Sequence, residues 1–218
     1  VCMLAILALI ALGMIIVERL WPANDLPSVR AWWPRIALIN GIQLGIIVLA
    51  GRTWDEWFQS TSLISLGDHF GTWMQAAIAY FISTFVYYWW HRLRHESKLF
   101  WLLCHQLHHS PNRIEIVTSF YKHPLEITLN SILSAGIVYV LLGCSVEAGM
   151  IYTGLTAVAE FFYHWNVKTP HWLGFLVQRP ESHRIHHKYR HHTQNFADLP
   201  IWDMLFGTFE NPCAPVPR

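Results

Sequence analysis

Fourteen histidines among 218 residues are the most unusual feature of this sequence. His91 and His95 lie four residues apart, and the pattern H-x-x-H-H occurs twice. The two triads are His105, His108 and His109, followed by His183, His186 and His187. Residues three or four positions apart share one face of a helix, so each pattern can direct two imidazoles at one point. The chemistry that such pairs perform best is metal binding.

The remaining imidazole of each triad is turned about a quarter of the way round the helix, where it can reach a second metal ion. Six crowded imidazoles repel one another when protonated and lack hydrogen-bond partners when neutral, unless a cation organises them. Imidazole binds iron, copper, zinc and nickel, and it discriminates poorly among them. The spacing therefore predicts a two-metal site built from imidazoles, without selecting the metal.

Other histidines fit plainer roles. Four that are isolated or lie in a basic stretch are expected to be solvated: His69, His171, His191 and His192. His123 precedes Pro124, so it should stand just before the start of a helix. It either caps that helix or orients a metal ligand, and we favour the second role.

The elements that carry these residues are predicted to lie in a membrane. Hydrophobic residues make up 53% of the chain and charged residues only 13%, about half the usual charged fraction of a soluble domain. Five apolar stretches approach the length of about 20 residues that crosses the hydrocarbon core. They are residues 1–17, 36–51, 73–90, 127–144 and 148–165. The first lacks the positively charged leader of a signal peptide, so we expect it to be a span.

The distribution of Lys and Arg predicts the orientation. With the loop after the first span in the cytoplasm, 14 of the 15 Lys and Arg residues are cytoplasmic, and Arg52 is the exception. Thirteen of the 14 histidines fall on the same side, with only His69 outside. The sequence thus predicts an all-α integral membrane protein with about four to five transmembrane helices. A cytoplasmic helical cap would hold the histidine-rich two-metal site.

Composition disfavours several other classes of protein. A net charge of +1 gives no footprint for nucleic acid. The four cysteines form no C-x-x-C pair, so neither a disulfide framework nor a zinc ribbon is expected. A soluble protein with buried apolar helices is the alternative to a membrane protein. Five separate apolar stretches and the charge asymmetry make that alternative the weaker one.

Three histidine boxes in this order and spacing resemble those of the fatty acid hydroxylase/sterol desaturase superfamily. The boxes are H-R-L-R-H at 91–95, H-Q-L-H-H at 105–109 and H-R-I-H-H at 183–187. The resemblance extends to the segments 120–126, 164–167 and 195–208. It covers roughly residues 73–211, which we expect to form the catalytic domain between N-terminal transmembrane helices (1–72) and a short tail (212–218). All three parts should form one structural unit.

The resemblance implies a membrane-bound non-haem di-iron oxygenase that uses O2 as co-substrate. It would hydroxylate, or desaturate, a C–H bond of a lipid. The implied iron ligands are His91, His95, His105, His108, His109, His164, His183, His186 and His187. No G-x-G-x-x-G nicotinamide motif is visible, so electrons should come from a separate donor protein. Within the superfamily, a sterol or carotenoid desaturase or hydroxylase, or an enzyme like alkylglycerol monooxygenase, is the alternative.

One position departs from the pattern of the superfamily. Several members carry two histidines four residues apart before the last box, whereas here the first of these positions is Glu160 and the second is His164. The two side chains should share a helix face. Glu160 is expected to be a direct ligand or an acceptor that orients a ligating histidine, with a snorkelling surface glutamate as the third alternative. Glu96 is a further candidate for a place at the site.

Two non-enzymatic alternatives remain for the same histidines. A membrane haem protein needs only two imidazoles per haem, far fewer than are present here. A metal transporter should carry ionisable residues near the middle of the membrane, where these five stretches have almost none.

Overall fold

The computed structural model describes residues 2–189, 191–214 and 216. Val1 of the predicted first span, Arg190 of the basic stretch, and Pro215, Pro217 and Arg218 of the predicted tail lie outside the described residues. The described part of the chain is helical and contains no β-strand, which confirms the all-α prediction.

Four long helices and a series of short ones make up the fold. The α-helices are α1 (Cys2–Leu20), α2 (Trp32–Gly51), α3 (Trp54–Phe58), α4 (Leu66–His69), α5 (Thr72–Glu96), α6 (Lys98–Phe100), α7 (Gln106–His109), α8 (Pro124–Ala135), α9 (Val146–His164), α10 (Pro180–His186) and α11 (Ile201–Phe206). Two π-helical segments, Trp101–His105 and Gly136–Leu141, precede α7 and follow α8, respectively. Short 3₁₀ turns cover Ile116–Thr118 and His171–Phe175.

Three helical segments among the described residues are long and apolar enough to cross a membrane. They are Met3–Leu20, Trp32–Phe58 and Pro124–Leu141, with mean hydropathies of 2.3, 1.6 and 1.5. The predicted third and fifth spans are helices of 25 and 19 residues, long enough to extend about 37 and 28 Å. These two helices are less apolar partly because they carry buried polar side chains, such as Ser83 and Thr84 on α5 and His164 on α9.

Small residues let α5 and α9 approach closely at the centre of the bundle. Ala76 and Ala79 of α5 and Ala148 of α9 are fully buried. Helices whose contacts are made by small side chains can pack with their backbones near one another. The turn before α9 is equally tight: Gly143 has φ of +59°, and a Cβ there would lie 2.2 Å from the carbonyl oxygen of Ile64. Only glycine fits this position without strain.

Buried charges tie α1 to the histidine-bearing end of the bundle. Glu18, 1% exposed, accepts hydrogen bonds of 2.9 Å from the backbone N–H groups of Ile116 and Asn166. Asn166 lies two residues after His164, so α1 fixes the backbone that follows this histidine. At this point α1 therefore packs directly against the segment that carries the histidine boxes.

Candidate metal centre

The nine histidines proposed as ligands lie in two adjacent groups. Group one contains His91, His95, His105, His109 and His186. Group two contains His108, His164, His183 and His187. Within each group, one ring nitrogen from every member lies within 4.8 Å of the others. The groups touch where the His109 and His187 rings stack, with centroids 4.2 Å apart.

Each H-x-x-H-H triad contributes to both groups. His105 and His109, four residues apart, belong to group one, and the intervening His108 belongs to group two. The last triad is divided the other way: His183 and His187, four residues apart, belong to group two, and His186 belongs to group one. The turned neighbour expected from helix geometry thus does lie in a second cluster.

Local helix geometry brings the boxes to one place. His91 and His95 occupy the last turns of α5. The second box begins at the end of the π-helical segment Trp101–His105 and continues into α7. π-Helical turns are rare and are often found at functional sites. The third box lies on α10, which starts with Pro180 at its first position, where the missing N–H costs no hydrogen bond.

The spacing between nitrogens suits a shared cation. In group one, His105 Nε2 lies 3.1, 3.0 and 3.2 Å from the Nε2 atoms of His91, His95 and His109. Two nitrogens bound at right angles to one metal, with bonds of about 2.1 Å, are about 3.0 Å apart. In group two, His183 Nε2 lies 3.1 and 3.0 Å from those of His164 and His187.

Hydrogen bonds to Nδ1 determine which nitrogen faces the centre. Four Nδ1 atoms lie 2.7–3.0 Å from oxygens that can only accept: His91 from Phe196 O, His105 from Glu126 Oε1, His164 from Glu160 O, and His186 from Gln194 O. These Nδ1 atoms therefore carry the proton, and the corresponding Nε2 atoms present lone pairs. The lone pairs of His91 and His105 face each other, and buried His186 Nε2 has no partner. A cation between them removes this repulsion, so the residues fit a metal ion.

Burial keeps these imidazoles neutral, which is the form that binds metal. Burial, followed by repulsion from neighbouring cationic or imidazole groups, lowers the pKa well below its ordinary value at His105, His108, His109, His183 and His187. At His186 burial lowers the pKa to about 3, although the hydrogen bond to the Gln194 carbonyl acts in the opposite direction.

Glu126 is a site residue that the histidine spacing does not reveal. Its side chain is fully buried, lies 3.0 Å from His105 Nδ1 and forms an ion pair with buried Arg94. A carboxylate that accepts from a ligating imidazole fixes its tautomer and its orientation. Two signals in the sequence point to it: Glu126 closes the segment 120–126 that resembles the superfamily, and it is a Glu at the start of an apolar helix, where a charge needs a partner.

Glu160 lies beside group two but is not one of its members. Its Oε1 pairs with Lys122 Nζ at 2.5 Å, and its Oε2 is 3.9 Å from His164 Nδ1. The His164 Nδ1–H instead donates a hydrogen bond of 2.9 Å to the backbone carbonyl of Glu160. Of the alternatives stated for Glu160, the geometry favours a position outside the ligands.

Two other candidates lie away from both groups. His123 is exposed, and its Nδ1 accepts a 3.2 Å hydrogen bond from the N–H of Leu125. It caps α8, which is the other role considered for it, and it belongs to neither group, so the geometry does not support the favoured role. Glu96 is also exposed and pairs with Arg92 across one helical turn.

His192 corrects the expectation of a solvated basic stretch. It is half-buried, and its ring stacks on His95 at 5.6 Å and contacts Trp101 at 5.2 Å. Its Nδ1 is 3.0 Å from the carbonyl oxygen of His186. The chain folds back after α10, which brings this residue over group one. His69 is exposed, as expected, and belongs to neither group.

A cavity of about 250 Å³ runs from the histidines into the bundle. It lies between α2, α5, α8 and α9, and its inner end is lined by His91, His105, His108 and His183. On α9 the lining extends from Tyr163 back to Gly149, a rise of about 21 Å along the helix. The cavity therefore joins the candidate metal centre to the part of the bundle that is built from apolar helices.

A helical bundle with apolar spans and two clusters of imidazoles at one end defines the class to which the protein belongs. The profile of the fatty acid hydroxylase family matches residues 76–208, and the chain belongs to this family. Together with the three apolar helices, family membership identifies it as a membrane protein. The superfamily expected from the histidine boxes is thus confirmed.

Individual relatives agree with this assignment. The chain is 27% identical to an ornithine lipid hydroxylase from Rhizobium tropici over 91% of its own length and 62% of the relative's. It is 31% identical to human alkylglycerol monooxygenase over 64% of its length and 31% of the relative's. For the sphingolipid C4-hydroxylase of Schizosaccharomyces pombe the identity is 26%, over 66% and 50%. The chain thus spans less than two thirds of each relative. No solved structure gives a significant match.

Proposed function

We propose that this protein is a membrane-bound non-haem di-iron oxygenase that hydroxylates a C–H bond of a lipid. The observation that carries the proposal is the convergence of nine buried or half-buried imidazoles in two touching groups. Four of them have Nδ1 committed to an acceptor, so that their Nε2 lone pairs point inward. A haem protein would need only two imidazoles, placed on opposite sides of the iron, and would not need this crowding.

Two iron ions would be held by the five histidines of group one and the four of group two. When bound, they supply the oxidising chemistry that removes hydrogen from an unactivated C–H bond with O2. The chain itself would hold the ligands rigidly, exclude water and place one carbon of the substrate at the histidine end of the cavity. Desaturation by a second hydrogen removal at the same site is the alternative outcome.

The substrate would be a lipid because the cavity extends from the histidines into the apolar part of the bundle. The relatives named above carry hydroxylase or monooxygenase activity in their names, and their named substrates are lipids. A lipid could place its chain among the helices while its reacting carbon lies beside His91 and His183. A separate protein would deliver electrons at the end of the bundle that carries the histidines.

The histidine end is proposed to face the cytoplasm, with four to five spans crossing the bilayer. The support is the excess of Lys and Arg in the loops that this orientation places in the cytoplasm. Cysteine labelling from outside intact cells tests this orientation, after Cys2 and exposed Cys213 have been replaced by Ser. Glu56→Cys should be labelled and Lys188→Cys should not, since both side chains are exposed and the proposed topology puts them on opposite sides of the membrane. External labelling at position 188 would reverse the topology.

The experiment that tests the enzymatic proposal compares lipids of cells with and without the active chain. Lipids from cells expressing the wild type should show a species heavier by one oxygen, or lighter by two hydrogens for desaturation. His108→Ala should abolish this product because it removes a group-two imidazole, whereas His69→Ala should leave it unchanged because His69 is exposed and belongs to neither group. Equal product from His108→Ala and wild type would overturn the proposal.

A further inference from the structure

The wall of the cavity carries many polar side chains, which is unusual for a space that opens among membrane helices. Nine hydroxyl side chains line it on α5, α8 and α9, and six of them matter here: Ser83, Thr84, Tyr87, Ser134, Tyr152 and Thr156. We call these six the hydroxyl belt. A purely hydrocarbon chain bound there would cover their oxygens without pairing them, at a cost for each buried group.

The hydroxyl groups of the belt already donate their hydrogen bonds to other groups of the protein. The Ser83 and Thr84 hydroxyls donate to the carbonyls of Tyr80 and Phe81, at 2.8 and 2.7 Å. Thr156 likewise donates to a carbonyl of its own helix, at 2.9 Å. These hydroxyls can therefore offer only lone pairs to a molecule in the cavity.

The other three hydroxyls form a directed chain. Tyr87 lies 2.6 Å from the carbonyl oxygen of Asn130, which can only accept, so Tyr87 donates there. Ser134, 2.8 Å away, must then donate to the Tyr87 oxygen, and Tyr152 must donate to Ser134 at 3.1 Å. The oxygens of the belt can thus only accept, and the Thr84 oxygen already accepts from Trp202 Nε1 at 2.9 Å. At the far end, buried Gln43 Oε1 is a further acceptor without a partner.

The belt lies at a defined distance from the histidines. Tyr87 precedes His91 by one helical turn, and Tyr152 precedes His164 by twelve residues on α9. At 1.5 Å per residue these separations correspond to about 6 and 18 Å along the helices. Charged side chains also line the cavity, among them Asp55, Lys122, Glu160 and Asp198, and Lys122 pairs with Glu160. The six oxygens of the belt are themselves neutral, so a neutral donor matches them.

Resting on the proposed function, we infer that the substrate is a lipid whose membrane-buried part carries a neutral hydrogen-bond donor. A hydroxyl or amide N–H, held by the belt about 6–18 Å from the histidines along the helices, would set which carbon reaches the metal centre. A plain saturated chain would be a poorer ligand. The inference concerns binding, so it can be tested without turnover.

Binding of three radiolabelled probes to the purified full chain in detergent micelles tests the inference. The probes are 1-tetradecanol, its methyl ether, which keeps the oxygen but lacks the donor, and tetradecane. The alcohol should bind roughly two- to tenfold more tightly than the ether, as expected for one neutral hydrogen bond. Equal affinity for the alcohol and the ether in the wild type would overturn the inference. It would indicate that the belt binds water and no donor group of a lipid.

Two variants locate the effect. Thr156→Val and Ser134→Ala each remove a belt oxygen and should reduce the preference for the alcohol. Thr128→Val is the matched control, because Thr128 also bonds a carbonyl of its own helix but does not line the cavity. A preference that survives in both belt variants, or that disappears in the control, would contradict the inference. The lipid product assay described above tests the oxygenase function separately.

Discussion

Replacing Glu126 by Gln should weaken metal binding and destabilise the fold, because this carboxylate serves two buried partners. It accepts from His105 Nδ1 and pairs with Arg94, whose side chain is 5% exposed. Glutamine keeps the shape but removes the charge. His105 then loses its anionic acceptor, and Arg94 becomes an uncompensated cation in a dry environment.

Each effect has an expected magnitude. Loss of a partner that orients a ligating histidine typically lowers metal affinity by about 10–100-fold. Breaking a buried ion pair by removing one partner costs about 3–5 kcal/mol. For a chain of this size that loss corresponds to a fall in the melting temperature of roughly 6–20 °C.

Glu96→Gln is the matched control, since Glu96 also pairs with an arginine, at 2.7 Å, but its side chain is 61% exposed. An exposed pair contributes at most about 1 kcal/mol. The assay is equilibrium titration of the metal-free protein with Fe(II) under anaerobic conditions, together with thermal denaturation of each variant. If Glu126→Gln and Glu96→Gln gave the same affinity and melting temperature, the role assigned to Glu126 would be refuted.

A double variant separates the two roles of Glu126. Arg94→Met with Glu126→Leu removes both buried charges and should recover much of the lost stability. It still lacks an acceptor for His105, so its metal affinity should stay low. Recovery of both properties together would show that Glu126 matters only as the partner of Arg94.

Three further outcomes follow from the same geometry. Glu160→Gln should retain metal, because the carbonyl of this residue and not its carboxylate accepts from His164, and should cost roughly 3 kcal/mol through the loss of the Lys122 ion pair; metal loss in an iron assay would make the carboxylate a ligand. His123→Gln should change stability by less than about 1 kcal/mol and leave kinetics unchanged, since it removes only a helix cap; a tenfold slower turnover would return it to the site. For the metal-free protein, the His186 pKa of about 3 lies below the ordinary value of about 6.5. The contribution of His186 to the free energy of unfolding should be fully present above about pH 6.5 and about 1.4 kcal/mol smaller at pH 5.5. A melting temperature that is constant between pH 7.5 and 5.5 would contradict this.

Regular spacing made much of the candidate site predictable. Helix periodicity brings i, i+4 histidines together and turns the third member of each triad aside, and the structure shows that arrangement for His105, His108 and His109. Long apolar stretches likewise predicted the helices, and the break between the fourth and fifth stretches predicted the turn near Gly143, whereas the π-helical segments have no comparable signal. Whether the nine histidines bind iron stays a prediction.

The partners of the histidines could not be predicted, because they come from distant parts of the chain. Phe196 and Gln194 contribute backbone carbonyls, which leave no trace in residue type. Glu126 is separated from His105 by 21 residues, and Glu18 reaches the backbone beside His164 from the first helix. His123 was misjudged for the opposite reason: its role as a cap is purely local.

The central claim is that the two groups of histidines hold two iron ions. The most direct test is iron quantification, with Mössbauer spectroscopy, on protein reconstituted anaerobically with ⁵⁷Fe(II). The wild type should bind two irons per chain, with signals of a coupled pair. One iron per chain, or two uncoupled irons with unchanged binding in both His186→Ala and His108→Ala, would contradict the account.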